Sequence, residues 1–235
     1  MSNYSPLPNG YTQLEYIEST GTQWINTGIT NWNQTIEYEI KLGIRQQTGG
    51  TTTFWGCFDS WSANGNNTPA ISTYASYRVP TNFAAGYAAT SGTDIGIANG
   101  QTGIFALKGD TISWSEGISA PFDRNKTFTN TTPFHLFSTY YNGEPQEHAA
   151  YPLYYAKFWL NGELIRDFVP CKNGDGEIGL WDKVEDKFYG NSGTGTFVAG
   201  TEVIVPDEVI DYKAMIQGWF VGKRLAAMRG KGGEA

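Results

Sequence analysis

Acid–base chemistry is the first thing the stretch RDFVPCKNGDGEIGLWDKVEDKFYGNSGTGTFVAG offers, through Asp175, Glu177, Asp182, Glu185 and Asp186. Glycoside hydrolysis needs two carboxylates facing one another across a sugar, about 5–10 Å apart. A catalytic run with Glu-x-Asp-x-x-Glu spacing is missing from the stretch, and Glu37 and Glu39 in EYEIK read as the solvent face of a strand. The glycine-rich GNSGTG and GTGTF could be taken for a phosphate cradle. A P-loop needs Lys–Ser/Thr after its last glycine and then a helix, whereas Phe197 and Val198 follow here. His135, expected half-buried in the strand FHLF, and His148, in a polar loop, have no nucleophile placed beside them by sequence. Two cysteines, Cys57 and Cys171, with two scattered histidines make no zinc pattern. A disulfide between them is not readable from sequence, and two free buried thiols are the favoured reading. Asp59, Asp94, Asp110 and Asp123 lie in or near loops where calcium could find oxygen ligands. Their spacing is not diagnostic, so solvated loop acids are the default and no cofactor is assigned.

The residues that must position these groups are those of an all-β chain. Of 235 residues 15% are aromatic and only 17% charged, with 29 glycines, which favours strands and turns over helices. The length suits one domain with an appendage. A net charge of −7 without a basic stripe argues against nucleic acid. No run is apolar enough to span a membrane, and MSNYSPLPNG has neither the basic start nor the apolar run of a secretory signal.

Residues 1–10 read as an arm. LEYIES, TQWINTGI, QTIEYEIKLGI and TTTFWGCF are expected strands. In the third, Ile36, Tyr38, Ile40 and Leu42 face one way and Glu37, Glu39 and Lys41 the other. The middle is rich in loops, with short strands in STYASYRV and NFAAGYAA. A hairpin is expected around Gly109–Asp110, then the strand FHLFSTYY, then YYAKFWL and ELIRDFVPC joined by Asn161–Gly162, a strong two-residue hairpin signal. The opening stretch becomes the closing meander. Asn173-Gly-Asp-Gly and KVED are turns, EIGLWD and KFYG are strands, and a tight loop leads to TFVAG.

The series LEYIESTGTQWINTGI, PFHLFSTYYNGE, YYAKFWLNGELIRDFVPC and GEIGLWDKVEDKFYGNSGTGTFVAG resembles a module of phage and prophage proteins, similar to laminin-G-like, concanavalin A-like jelly rolls. The resemblance runs over about residues 7–200. It implies an antiparallel jelly-roll β-sandwich over 11–205 and a non-enzymatic virion structural protein, assembled in the host bacterial cytoplasm. Its role would be capsid decoration or a tail or fibre component, and its partners other virion proteins. Members often bind glycans, sometimes with calcium, so the alternative is a receptor-binding adhesin for a bacterial surface glycan. Trp61, Asp59, Asn64, Tyr74, Tyr77 and Arg78 are the candidate sugar contacts, Trp61 being the aromatic platform. Trp55, within a strand, is assigned to the core.

The last thirty residues change character. They carry five Lys/Arg and four Asp/Glu, net +1, which leaves −8 on residues 1–205. Acids early and bases late suit a helix dipole. Tyr212, Met215, Ile216, Trp219, Phe220 and Leu225 have helical spacing, and Gly218 and Gly222 form a small-xxx-small pattern that permits close helix approach. The segment resembles short C-terminal helices of such phage proteins. Residues 206–235 are therefore expected to form a docking or homo-oligomerisation helix.

Overall fold

The computed structural model describes residues 7–45, 51–57, 71–76, 79–85, 100–115, 118–121, 129–130, 133–141, 143–146 and 148–204. The chain divides into two units, Met1–Val203 and Ile204–Ala235. The sugar-contact candidates Asp59, Trp61, Asn64, Tyr77 and Arg78, and the helix candidates Tyr212, Met215, Ile216, Trp219, Phe220 and Leu225, lie outside the described residues.

The first unit is all-β. Its early strands are β1 (Thr12–Gln13), β2 (Ile17–Glu18), β3 (Ile25–Asn26), β4 (Trp32–Asn33), β5 (Glu37–Gly43), β6 (Thr51–Cys57), β7 (Ile71–Ser76) and β8 (Val79–Ala85). There follow β9 (Thr102–Lys108), β10 (Thr111–Trp114), β11 (Ile118–Pro121), β12 (Thr129–Asn130), β13 (His135–Leu136), β14 (Thr139–Tyr141) and β15 (Glu144–Gln146). The closing strands are β16 (Pro152–Leu160), β17 (Glu163–Lys172), β18 (Ile178–Asp182), β19 (Lys187–Tyr189) and β20 (Val198–Ala199). The larger sheet runs β11-β10-β9-β5-β16-β17-β18-β19, with β1, β2 and β20 attached. The second runs β15-β14-β6-β13-β3, with β7 and β8 beyond β6. Among the described residues no helix is long and apolar enough to cross a membrane.

The period-two pattern of β5 determines its orientation. Ile36, Tyr38, Ile40 and Leu42 are buried, whereas Glu37, Glu39 and Lys41 stay half-buried on the other face. One hydrophobic cluster takes side chains from both sheets: Ile40, Phe105, Phe158 and Phe168 from the larger, Ile25 and Leu136 from the second. Phe134 and Phe158 meet edge to face at 5.0 Å. Asn161 and Gly162 both take positive φ (53° and 78°), as a two-residue hairpin between twisted strands demands.

Three expectations need correction. Among the described strands the pairing is antiparallel except between β14 and β6, which run parallel with Thr139 opposite Gly56. FHLFSTYY is not one strand. Phe137 has φ 66°, so the chain turns back on itself and both β13 and β14 pair with β6. His135 is fully buried at 1% exposure rather than half-buried. Cys171 is a free, buried thiol whose pKa burial pushes up to about 12.

Close approach fixes Gly179 of β18. A methyl group there would lie 2.4 Å from the Tyr189 carbonyl oxygen and 2.7 Å from the Phe188 ring. Backbone cannot yield that much, so Gly179→Ala is expected to destabilise by about 1–3 kcal/mol, read as a lower urea midpoint. A wild-type midpoint in the variant would contradict this packing.

Candidate functional site

Three carboxylates of the opening stretch, those of Asp182, Glu185 and Glu177, are tied into the fold. Asp182 is fully buried, and its Oδ1 accepts the backbone N–H groups of Asp167 (2.9 Å) and Val184 (3.0 Å). Its Oδ2 lies 3.5 Å from Arg166 Nε. Arg166 also reaches Glu185 Oε1 at 2.7 Å and donates to the carbonyls of Thr27 (3.0 Å) and Ile165 (2.6 Å). Tyr189 Oη donates to Glu185 Oε2 at 2.5 Å. Burial first, then that carboxylate, raises the Tyr189 pKa. Glu177 caps its turn by accepting from Asn173 Nδ2. Asp182 and Glu185 knit the meander together, with the Arg166 guanidinium as their hub.

Among the described residues no three His, Cys, Asp or Glu side chains gather as a metal site. Tyr74 lies in β7, opposite Thr53 and Asn82, and its side chain is outside the description.

A groove of about 520 Å³ opens instead on the outer face of the larger sheet. That volume is in the range of small-ligand sites. Strands β5, β16 and β17 form its floor, and residues 13–15 and Val203 also line it. The floor is a ladder of alternating charge, with Glu39 beside Lys157 and Lys157 beside Asp167. Lys157 Nζ lies 3.6 Å from Asp167 Oδ1. Glu39 receives Lys108 Nζ at 2.6 Å and Tyr155 Oη at 3.0 Å. Burial pushes the Glu39 carboxyl up, but these bonds and the Lys108 and Lys157 charges outweigh it, and its pKa ends below the ordinary value. Burial, reinforced by Glu39, raises the Tyr155 pKa.

The groove owes its aromatic wall to an irregularity. Tyr154 and Tyr155 are neighbours, so a regular strand would aim them to opposite faces. The register of β16 on β5 shifts between Leu153 and Tyr155. Leu153, Ala156 and Phe158 remain in the core while both tyrosines line the groove. Bulges of this kind re-aim side chains near functional sites. Lys41 Nζ lies 5.0 Å from the Tyr154 ring centroid, and Tyr16 packs against that ring at 5.5 Å. Gln13 lines the groove, and its Oε1 is buried and accepts no hydrogen bond among the described residues.

Sequence reasoning sought the aromatic platform in the Ser/Asn/Gly-rich loop after β6 and passed over this one. The doubled tyrosine in YYAKFWL was its visible trace, because two adjacent aromatics in an otherwise alternating strand require either a buried outer face or a bulge. Comparison of the chain with protein-family models, curated proteins and solved structures gives no match.

Proposed function

We propose that the chain is a non-enzymatic structural protein of a bacteriophage particle, and that its first unit is a lectin-like jelly-roll sandwich that binds a host surface glycan in the outer-sheet groove. The observation that carries the binding role is the bulge that sets Tyr154 and Tyr155 side by side above a ladder of charged groups. Sugars present C–H faces that lie on aromatic rings and hydroxyls that exchange hydrogen bonds with charged and amide groups. This groove supplies both. The particle context rests on the sequence resemblance. Attachment to other virion proteins is assigned to residues 206–235, whose charge is opposite in sign to that of the rest.

Two measurements test this. Labelled full-length protein should bind saturably to some members of a panel of gut bacteria or to their purified envelope polysaccharides. Tyr154→Ala and Tyr155→Ala should each weaken that binding by about tenfold or more. Binding to no strain, or binding indifferent to both tyrosines, would refute the groove. Separately, removal of residues 206–235 should abolish assembly, and an unchanged oligomeric state would refute that attachment role.

A further inference from the structure

Resting on the reading of the groove as a glycan site, we propose that its ligand is an acidic saccharide, a sugar carrying a carboxylate or a phosphate, gripped by Lys41 and Lys183.

The charges in the groove are not equivalent. Its two floor carboxylates already have cations, Glu39 being paired with Lys108 and Asp167 with Lys157. Lys41 and Lys183 line the same groove and have no carboxylate partner among the described residues. Among the described residues the Lys41 ammonium meets only the Tyr154 ring, and the Lys183 ammonium has no partner, its backbone N–H being held by the Asp167 carbonyl at 3.0 Å. Two unpaired ammonium groups beside neutralised carboxylates favour an anion. With Lys108 counted, four lysines meet Glu15, Glu39 and Asp167 here, a local excess of one positive charge in a module that is acidic as a whole. Lysine holds carboxylate and phosphate alike as a compact point charge with three donors.

The Tyr154 and Tyr155 rings that line the same groove identify the rest of the ligand, because a free anion has no apolar face to lay on them. Anion and aromatic-stacking face together describe an acidic sugar rather than a free anion. Glu15, an exposed carboxylate that also lines the groove, is the one charge that opposes the ligand.

Calorimetry on the full-length protein decides the matter with three probes: an oligogalacturonate for the carboxylate, an oligosaccharide bearing glycerol phosphate for the phosphate, and neutral maltohexaose. At least one acidic probe should bind and maltohexaose should not, and the acidic probe that binds identifies the anionic group. Lys41→Gln and Lys183→Gln should each weaken that binding about tenfold, while Glu15→Gln should tighten it. All three positions are at least partly exposed, and an unchanged melting temperature confirms folding. Equal binding of maltohexaose, insensitive to both lysines, overturns the acidic-ligand proposal and leaves the glycan groove standing. Binding of none of the three overturns the acidic-ligand proposal, and the strain and polysaccharide panel then decides the groove itself.

Discussion

Acidification from neutral pH to about pH 4 is expected to remove about 3 kcal/mol of folding stability through one side chain, His135. Its ring is stacked on Trp24 at 4.4 Å and meets the edge of Tyr140 at 5.2 Å. Ser138 Oγ lies 3.4 Å from Nδ1, and Nε2 has no hydrogen-bond partner among the described residues. Burial, helped by the charge of His148, lowers the His135 pKa from 6.5 to about 4. The folded protein therefore holds the ring neutral where the unfolded chain would protonate it. The contribution is complete above pH 6.5, falls as the unfolded state takes up its proton, and is gone once the pH passes below the folded value. His148, also lowered by burial, adds a loss of the same sign. Glu39 overlaps only the acid end of this window, because its depressed carboxyl begins to lose its contribution near the ordinary carboxylate value of 4.5. Urea midpoints measured across this range should fall steeply in the wild type and much less in His135→Gln. Equal slopes in the two proteins would show that the ring is not held neutral.

Arg166→Met is expected to cost about 3–5 kcal/mol, the largest effect of any single charge removal in the meander. The substitution leaves the fully buried Asp182 carboxylate without its cation and frees the carbonyls of Thr27 and Ile165. Arg166→Lys should rescue only part of the loss, because one ammonium cannot span two carboxylates and two carbonyls. Glu185 has 38% of its side chain exposed, so Glu185→Ala should cost less than about 1 kcal/mol. Urea unfolding of the three variants gives the ranking. If Glu185→Ala proved as harmful as Arg166→Met, the buried Asp182 pair would not be the reason the hub matters.

Local chemistry made much of this fold legible. Asn161–Gly162 announces its hairpin because positive φ at two successive positions excludes most other residue pairs. The strand around Tyr38 reads correctly because one face is buried and the period is two. What stayed hidden depends on partners distant in sequence. LEYIES reads as one strand, yet Leu14 N–H donates to the Pro170 carbonyl of β17 while Ile17–Glu18 pairs with β16, so the chain changes neighbours midway. The bulge at Tyr154–Tyr155 exists only against β5, and no pattern within YYAKFWL fixes its position. The burial of His135 follows from Trp24 and Tyr140 closing over it from other elements. The candidate groove was missed for the same reason, since its wall is produced by a register shift and its charge balance by pairings between four strands.

The first and last described segments of the β module are bonded to each other. Ile17 lies opposite Ala199 and Glu18 opposite Val198, Glu15 N–H donates to the Thr201 carbonyl, and Val203 N–H donates to Gln13. The two segments run antiparallel and leave this pairing at the same end. Tension applied between them, as on an adhesin anchored at one side and pulled at the other, would load these bonds one at a time rather than together. The seam would open like a zipper at low force, while the hydrophobic cluster beneath, anchored by strands such as β5 and β16, would still be intact. Mechanical yielding of the molecule thus begins at its own closure, and the open and closed seam differ in length by the few residues that it releases.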